Sequence, residues 1–302
     1  MASYDVLVVG EGMSGLSAAH ALAQAGIRTA TLEAQLFGGL VLNVNELAPA
    51  PDPARTVSGA EIASELMQAN ADLGVASIQE GVTALKDLGG RKQLTTAGAT
   101  YEAQHVVVAS GARLRRLGIP GESEFEGRGV SQCADCDGPM YQNEDVVVVG
   151  GGDSALQEAL ALAKYCRKVH LVHRGSAFRA QPHFVEQVKA EPRILPLWRA
   201  QVTGIAGGQM VERVQIAHGD GRREEMPCAG VFAYIGLAPN SDFLPREVER
   251  DAAGFIVTHA TLETTLAGVW AVGAVRSGYS GLLSDAVSEA KEAARAIAQR
   301  LA

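Results

Sequence analysis

The sequence predicts an α/β protein built from two three-layer domains, and three observations support this fold class. The chain has 302 residues, which is long enough for two domains that each bury a core. Hydrophobic residues make up 47% of it, glycines number 34 and aromatic residues reach only 5%, as expected for a protein with many strand-to-helix turns. A buried strand followed by a glycine-rich turn and an apolar helix occurs twice.

The first of these units begins with the strand Val6 to Val9, passes through a glycine-rich turn and continues as an Ala/Leu-rich helix that closes near Gly26. The turn contains Gly10, Gly12, Ser14 and Gly15. Such glycines allow a tight bend, close approach of the backbone to a pyrophosphate and close helix–strand packing. A second strand ends at Glu33, whose carboxylate can accept hydrogen bonds from ribose hydroxyls. This pattern predicts a Rossmann-like nucleotide-binding unit.

The second unit repeats the order of elements, with strands at Val146 to Val149 and Val169 to Val172. Its turn and the start of its helix contain Gly150, Gly152, Asp153, Ser154 and Ala155. The second strand runs into His173 and Arg174, with no carboxylate, and Arg179 follows. Because a guanidinium pairs with a 2′-phosphate and a carboxylate repels it, we assign the second unit to NADPH and the first to FAD. NADH is the alternative if both arginines are only solvated surface charges.

Two of the four cysteines, Cys133 and Cys136, form a CxxC pair shortly before the second unit, and this spacing suits a reversible disulfide. Zinc binding is the competing use of such a pair. However, Cys166 and Cys228 are isolated, and a structural zinc site needs four ligands, so no metal site is predicted. Those two cysteines are expected to be structural. Asp137 is either a proton carrier for a departing thiolate or an ordinary turn residue.

Charge and hydropathy narrow the classes of partner and the location of the chain. The net charge of -8 argues against a nucleic-acid-binding surface. The longest apolar runs are only as long as strands, which predicts no membrane span. The sequence passes from Met1 almost directly into the first strand, without a signal-peptide pattern. We therefore expect a cytoplasmic protein, in which a close cysteine pair is typically catalytic or metal-binding.

Along nearly its whole length, the chain resembles the low-molecular-weight thioredoxin reductase family. The segments that carry the resemblance are GEGMSG, Gly38-Gly39, ASGARLRRLGIPGE, CADCDG, GGGDSALQEA, HRGSAFRA, GLAPN and GVWAVGAV. The resemblance implies two Rossmann-like three-layer nucleotide-binding domains, with the NADPH domain inserted into the FAD domain. The expected ranges are 1–115 and 244–302 for the FAD domain and 116–243 for the NADPH domain. A homodimer is also implied.

The resemblance assigns a role to each residue of the redox pair. Electrons would pass from NADPH to FAD, then to the Cys133/Cys136 disulfide, and on to a thioredoxin-like protein or a small disulfide substrate through a mixed disulfide. Cys136 matches the flavin-facing cysteine, Cys133 the interchange thiol and Asp137 the proton donor. Four further positions match the FAD contacts of the family: Gly38, Gly39, Gly111 and Gly273.

Four departures from the family pattern keep other functions open. Ala274 stands where the family has an aspartate that binds the flavin, and Ser280-Gly281 replaces an Arg-Gln pair near the flavin ring. The segment 40–51, LVLNVNELAPAP, lacks the usual ending of that region, and Gly175 replaces a second arginine. These changes favour two alternatives: a FAD-dependent dithiol oxidase that passes electrons to oxygen, and a redox-sensing flavoprotein with little turnover.

Overall fold

The structure is a computed structural model that describes residues 4–44, 47 and 57–302. Half of the segment 40–51, namely residues 45, 46 and 48–51, lies outside the described residues. The chain divides into a terminal unit, Met1–Arg113 with Ala238–Ala302, and an inserted unit, Leu114–Leu237. The chain therefore crosses between the units a few residues before the two predicted domain boundaries. Among the described residues, no helix is long and apolar enough to cross a membrane.

The strands, in chain order, are β1 (Val6–Val9), β2 (Thr29–Leu32), β3 (Ala76–Ile78), β4 (Val82–Asp87), β5 (Lys92–Thr96), β6 (Thr100–Ala103), β7 (His105–Val108), β8 (Ala112–Leu114), β9 (Val130–Ser131), β10 (Asp145–Gly150), β11 (Lys168–His173), β12 (Ile194–Trp198), β13 (Ala200–Gly207), β14 (Val211–His218), β15 (Arg223–Pro227), β16 (Gly230–Tyr234), β17 (Leu237–Pro239) and β18 (Val269–Ala271). The α-helices are α1 (Met13–Gln24), α2 (Gly59–Asp72), α3 (Ala134–Asp137), α4 (Asp153–Ala163), α5 (Pro182–Ala190) and α6 (Leu283–Leu301). Short 3₁₀ helices cover Gly39–Asn43, Gly138–Tyr141 and Gly273–Val275.

The terminal unit has a parallel sheet of order β18-β7-β1-β2-β3 and an antiparallel sheet, β4-β5-β6. Side chains of β1 point alternately to the two faces of the parallel sheet. Val6 and Val8 pack with Leu22 of α1, whereas Leu7 packs in a second cluster with Leu94 of β5. Because both faces are covered, every residue of β1 is buried and apolar.

The inserted unit repeats this plan with a parallel sheet of order β12-β11-β10-β16-β9 and an antiparallel sheet, β13-β14-β15. Val146 and Val148 pack with Leu156 of α4, and Val147 packs with Val214 of β14. Each unit is thus a three-layer arrangement around a parallel sheet. The structure confirms the predicted α/β class with two Rossmann-like domains.

The chain passes between the two units through β8 and β17, which form a two-stranded sheet. In the terminal unit, the backbone N–H of Asn240 donates to the carbonyl of Gly111 at 3.0 Å. In the inserted unit, the backbone N–H of Arg115 donates to the carbonyl of Gly236 at 2.9 Å. The outgoing and returning segments are therefore paired within each unit.

Candidate functional site

The first glycine-rich turn combines two crowded positions with one open position. Gly10 has a φ of 102°, and a Cβ atom there would lie 2.5 Å from the carbonyl oxygen of Ala109. A Cβ at Gly15 would lie 1.9 Å from the carbonyl oxygen of Gly10. At Gly12, the nearest atom to a Cβ is 3.9 Å away. Gly10 and Gly15 therefore permit the tight turn and the helix packing, and Gly12 leaves space beside the start of α1.

The amino end of α1 and the carboxylate of Glu33 have the properties that an ADP-ribose needs. No side chain caps α1, and its first turn contains no acidic residue, so its backbone N–H groups can donate to a phosphate. Glu33 directly follows β2, and its carboxylate accepts from the backbone N–H groups of Glu11 at 2.7 Å and Gln35 at 2.9 Å. These two bonds fix the carboxylate at the carboxyl end of the strand.

Glu11 is a buried carboxylate at this turn that the sequence analysis did not single out. It is fully buried, and its side chain accepts hydrogen bonds from the Thr31 hydroxyl and from Gln79 Nε2. Its carbonyl oxygen accepts from the backbone N–H of Gly38 at 2.7 Å. Glu11 therefore ties the turn to both Gly38 and Glu33. The only signal in the sequence is an acidic residue between two glycines.

Gly38 and Gly39 lie beside the turn, as a second glycine-rich wall. Gly38 forms a bridge with Gly12, and a Cβ at Gly39 would lie 3.4 Å from the Cα of Gly12. Gly111 follows β7 with a φ of 64°, and a Cβ there would meet no atom within 4 Å. The adjacent Ser110 lies closer, with its Cα 3.0 Å from a Cβ placed at Gly10. Gly38 and Gly39 thus lie beside Gly12 at the start of α1, and Gly111 follows the segment that packs against Gly10.

The closing segment after β18 reaches the same turn. A Cβ at Gly273 would lie 2.1 Å from Ser14 Oγ, in the first turn of α1. The half-buried Ala274 supplies no carboxylate here, but the backbone N–H of Gly273 donates to Glu289 Oε2 at 2.8 Å. Glu289 also pairs with Arg276, whose buried Nε has no partner among the described residues. A buried donor without a partner and an uncapped helix fit a bound acceptor-rich cofactor such as FAD.

The glycine turn of the inserted unit has the same design. Gly150 has a φ of 156°, and a Cβ there would lie 2.4 Å from the carbonyl oxygen of Tyr234 and 2.6 Å from the Cβ of Ala155. At Gly152, a Cβ would meet nothing within 4 Å, and no side chain caps α4. Ala155, in place of the third glycine, is fully buried. The open amino end of α4 is suited to a second dinucleotide.

Asp153 and Arg179 both take part in the contact between this turn and the segment before α5. The Asp153 carboxylate accepts from the side chain and the backbone N–H of Gln181, at 2.8 and 2.7 Å, and these bonds lower the pKa of Asp153. The backbone N–H of Arg179 donates to the carbonyl of Gly151 at 2.8 Å. Ser154 is exposed on the first turn of α4. The structure therefore brings Arg179 next to the glycine turn.

The buried ring of His173 lies between two glycines. A Cβ at Gly151 would lie 2.3 Å from His173 Nδ1, and a Cβ at Gly175 would lie 2.8 Å from His173 Nε2. A side chain at Gly175 would therefore collide with this ring, which gives a physical reason for the missing second arginine. His173 Nε2 has no hydrogen-bond partner among the described residues, so it is available to a ligand.

Arg199 is a third arginine near this edge of the sheet, and the sequence did not identify it. Its backbone N–H donates to the carbonyl of Gly175 at 3.0 Å, and its φ of 51° is unusual for a residue other than glycine. The register of β11 and β12, which pairs His173 with Trp198, produces this contact. At this edge of the sheet, Arg174, Arg179 and Arg199 are exposed, and none of these three forms a salt bridge with a carboxylate of the described residues.

Cys133 and Cys136 form a disulfide at helix α3, with their Cα atoms 5.3 Å apart. Cys133 is half-buried and Cys136 is exposed. The backbone N–H of Cys136 donates to Cys133 Sγ at 3.2 Å, and that of Asp137 donates to the Cys133 carbonyl at 3.1 Å. The first bond would stabilise negative charge on Cys133 after the disulfide opens.

Cys166 and Cys228 are buried free thiols, as predicted for structural cysteines. Burial raises the pKa of Cys166 to about 11 and that of Cys228 to about 12. Both thiols therefore remain protonated and poorly reactive at neutral pH. Within the described ranges, no group of three or more His, Cys, Asp or Glu side chains is arranged to hold a metal ion.

Glu158 on α4 contacts the redox pair through the backbone of Ala134, which lies between the two cysteines. The Ala134 N–H donates to Glu158 Oε2 at 3.1 Å, and the Tyr234 hydroxyl donates to the same oxygen at 3.2 Å. Burial raises the pKa of both Glu158 and Tyr234. Neither Glu158 nor Tyr234 was singled out from the sequence.

Two glycine turns for dinucleotides and a disulfide on a short helix together define a dinucleotide-dependent disulfide oxidoreductase. Residues 4–295 match the family of pyridine nucleotide-disulphide oxidoreductases, and the chain belongs to this family. It is an oxidoreductase, and membership implies a flavin and a nicotinamide cofactor.

Individual relatives agree with this assignment. The chain is 37% identical to the thioredoxin reductase of Treponema pallidum (strain Nichols), over 98% of this chain and 96% of that protein. Its structure is similar to that of Lactococcus lactis thioredoxin reductase (FR conformation), with a TM-score of 0.91, 32% identity and 98% of each chain covered. It is also similar to the T. acidophilum thioredoxin reductase structure, with a TM-score of 0.88, 29% identity and 99% of each chain covered. The resemblance predicted from the motifs is confirmed.

Proposed function

We propose that this protein catalyses the NADPH-dependent reduction of a protein disulfide, most simply that of thioredoxin, through FAD and Cys133/Cys136. One observation carries the proposal: the Cys133–Cys136 disulfide lies in the same unit as the NADPH-type glycine turn, and the other unit supplies the FAD-type turn. The flavin, when bound, would supply the two-electron chemistry between nicotinamide and disulfide. We propose thioredoxin as the substrate because proteins similar to this chain are thioredoxin reductases.

The terminal unit, as the FAD domain, would bind the pyrophosphate and the ribose of the ADP half of the cofactor. The backbone at Gly12 and the first turn of α1 would donate to the pyrophosphate, and Glu33 would accept from the ribose. Gly38, Gly39, Gly111 and Gly273 would allow the cofactor to lie close to the backbone. The carboxylate that the family places after Gly273 is absent, and Glu289 contacts this segment through the Gly273 backbone and Arg276.

The inserted unit, as the NADPH domain, would recognise the 2′-phosphate with arginines and the pyrophosphate with the second turn. Gly150, Gly152, Asp153, Ser154 and Ala155 shape the amino end of α4. Arg174 and Arg179 would pair with the phosphate, and Arg199 would supply a further guanidinium beside Gly175. His173 Nε2, which has no partner within the described residues, is available to hydrogen-bond the ribose or its phosphate.

Cys133 and Cys136 would divide the disulfide chemistry between them. Cys133 would act as the interchange thiol, because the Cys136 amide stabilises negative charge on its sulfur. Cys136 would face the flavin, and Asp137 would donate a proton to the departing thiolate. The partner would be a thioredoxin-like protein or a small disulfide, and the enzyme would act as a cytoplasmic homodimer.

An anaerobic titration of the purified flavoprotein tests this function. NADPH should bleach the oxidised flavin, NADH should do so less efficiently, and added thioredoxin disulfide should restore the colour while its thiols appear. A flavin that neither nucleotide reduces would contradict the proposal.

The dithiol oxidase is the second candidate, and Ala274 and Gly175 favour it, because both weaken contacts that the family makes with its cofactors. In that case, a small dithiol would bleach the flavin without NADPH, and oxygen would restore the colour. A parallel titration with dithiothreitol therefore separates the two functions. A protein that responds slowly to both donors would support the redox-sensing alternative.

A further inference from the structure

The carboxyl group of Glu158 has no place in the proposed electron path, yet it binds the backbone of the redox pair. Glu158 lies on α4, one turn beyond the glycine-rich segment, and its Oε2 accepts from the Ala134 N–H at 3.1 Å. Ala134 is fully buried and is the first residue of α3. Its N–H is therefore shielded from water, and without Glu158 it would lose its hydrogen-bond partner.

A second bond fixes the carboxyl group from another direction. The hydroxyl of Tyr234, at the end of β16, donates to the same Glu158 oxygen at 3.2 Å. Tyr234 is itself buried, so this bond is also protected from water. Three elements of the inserted unit, α3, α4 and β16, thus meet at one oxygen atom.

The position of the Ala134 backbone influences the positions of both sulfur atoms, because Ala134 lies between the two cysteines. Cys133 caps α3, its backbone N–H donates to Ser131 Oγ at 3.1 Å, and its Sγ accepts from the Cys136 N–H at 3.2 Å. Since Ala134 follows Cys133 directly, holding its amide holds the first turn that connects the two cysteines. The arrangement matches the closed disulfide.

We propose that Glu158 is a positioning residue for the redox pair: its carboxylate holds the Ala134 amide so that Cys133 and Cys136 stay in register for disulfide closure. This role rests on the proposed function of the pair. Asp135 and Tyr234 are the ionisable groups that act on Glu158, and burial is the largest cause of its raised pKa. Protonation would weaken the acceptor, so the position of the disulfide equilibrium depends on the ionisation of Glu158.

The role can be tested without NADPH by measuring the thiol–disulfide equilibrium of Cys133 and Cys136 in glutathione buffers. Reduction of one Cys133–Cys136 disulfide to two thiols oxidises two molecules of glutathione to one glutathione disulfide. Glu158→Ala should shift this equilibrium toward the dithiol by on the order of tenfold, because a charge-assisted hydrogen bond is lost. It should also lower kcat for disulfide reduction and leave flavin reduction by NADPH unchanged. Glu158→Gln should keep the equilibrium close to that of the parent but lose the part of its pH dependence that comes from Glu158. Gln157→Ala, an exposed neighbour on α4, is the matched control and should behave as the parent.

The positioning role would be overturned if Glu158→Ala had the same thiol–disulfide equilibrium and the same kcat as the parent protein. If Glu158→Ala does not fold, the Glu158→Gln profile decides, and a pH dependence identical to that of the parent overturns the role. A parent protein that fails to reduce disulfides with NADPH would instead refute the proposed function. In that event, the shift of the glutathione equilibrium still reports on Glu158.

Discussion

Gly273 lies against Ser14, and a Cβ atom at Gly273 would stand 2.1 Å from Ser14 Oγ. The segment after β18 therefore meets the first turn of α1 without room for a methyl group. Gly273→Ala should lower the free energy of unfolding by about 1–3 kcal/mol, because it overpacks this contact. It should also reduce the amount of flavin that the protein retains. Urea unfolding and the flavin absorbance per chain measure the two effects.

Gly278→Ala is the matched control for this contact. Gly278 has a φ of 79°, close to the 71° of Gly273, but the nearest atom to a Cβ there is 3.8 Å away. Both substitutions therefore strain the backbone, and only Gly273→Ala adds the collision with Ser14. Equal losses in the two variants would show that the contact does not matter.

FAD should copurify with the protein even though Ala274 replaces the aspartate of the family. One lost charge-assisted hydrogen bond costs about 1.5–3 kcal/mol, against about 12 kcal/mol for a cofactor held at nanomolar affinity. Ala274→Asp should tighten FAD or leave its affinity unchanged, as measured by fluorescence titration of the apoprotein. A colourless protein that stays colourless with excess FAD, or a clear weakening by Ala274→Asp, would contradict this expectation.

NADPH should reduce the flavin with a higher kcat/KM than NADH, and the preference should depend on the exposed arginines. Arg174→Ala should lower the preference by about 10- to 150-fold, because a charge-assisted contact to the 2′-phosphate is lost. Arg199→Ala should lower it in the same direction. Arg223→Ala, at an exposed arginine of β15, is the control and should leave the preference intact. Stopped-flow kinetics with both nucleotides give the ratio of kcat/KM for NADPH to that for NADH. If Arg174→Ala leaves this ratio unaltered, Arg174 does not bind the 2′-phosphate.

Cys133 and Cys136 should behave differently when each is replaced by serine. Cys133→Ser should leave a lone thiolate at Cys136 and produce a long-wavelength absorption with the oxidised flavin, whereas Cys136→Ser should lack this band. Cys136→Ser should instead trap thioredoxin as a mixed disulfide at Cys133. Flavin reduction by NADPH should survive both changes. Visible spectra and a thioredoxin-coupled assay test this, and parent-like turnover in both variants would make the pair structural.

Glu158 should make the stability of the protein fall as the pH rises. Burial raises its pKa in the folded protein above the usual 4.5, so the folded state binds more protons there than the unfolded state. Ionisation therefore costs stability above this range. Glu158→Gln should raise the free energy of unfolding at neutral pH, and the gain should shrink below pH 4.5, where the parent is protonated in both states. Urea unfolding across this range gives the profile, with the exposed Glu186→Gln as control.

Features formed by residues that are close in sequence could be predicted. The glycine turns follow their strands directly, so the tight bend at Gly10 and the open position at Gly12 are visible in the order of residue types. The same holds for the CxxC pair, whose spacing suits a disulfide and whose isolation from other cysteines argues against zinc. The fold class followed because each of these local patterns occurs inside a repeated strand–helix–strand unit.

Contacts between distant residues could not be predicted. Glu158 and Tyr234 are 76 residues apart, and nothing in either segment marks the hydrogen bond that joins them. Arg199 reaches Gly175 only because β11 and β12 pair in one particular register. Glu289 belongs to none of the sequence motifs. Its bond to the Gly273 amide forms because α6 packs against the segment that contains β18. Such contacts follow from the tertiary arrangement of each unit, which single-sequence patterns do not encode.

Because β8 pairs with β17, the inserted unit should be removable from the chain as one piece. Residues 114–237 leave and rejoin the terminal unit through neighbouring strands, so a short peptide in their place would close the terminal unit with little loss of chain entropy. This stretch has its own apolar cores and contains the Cys133/Cys136 pair, as expected for a domain. Exchanging residues 114–237 for those of a homologue should therefore transfer the second glycine turn and the Cys133/Cys136 pair together, with only two junctions to join.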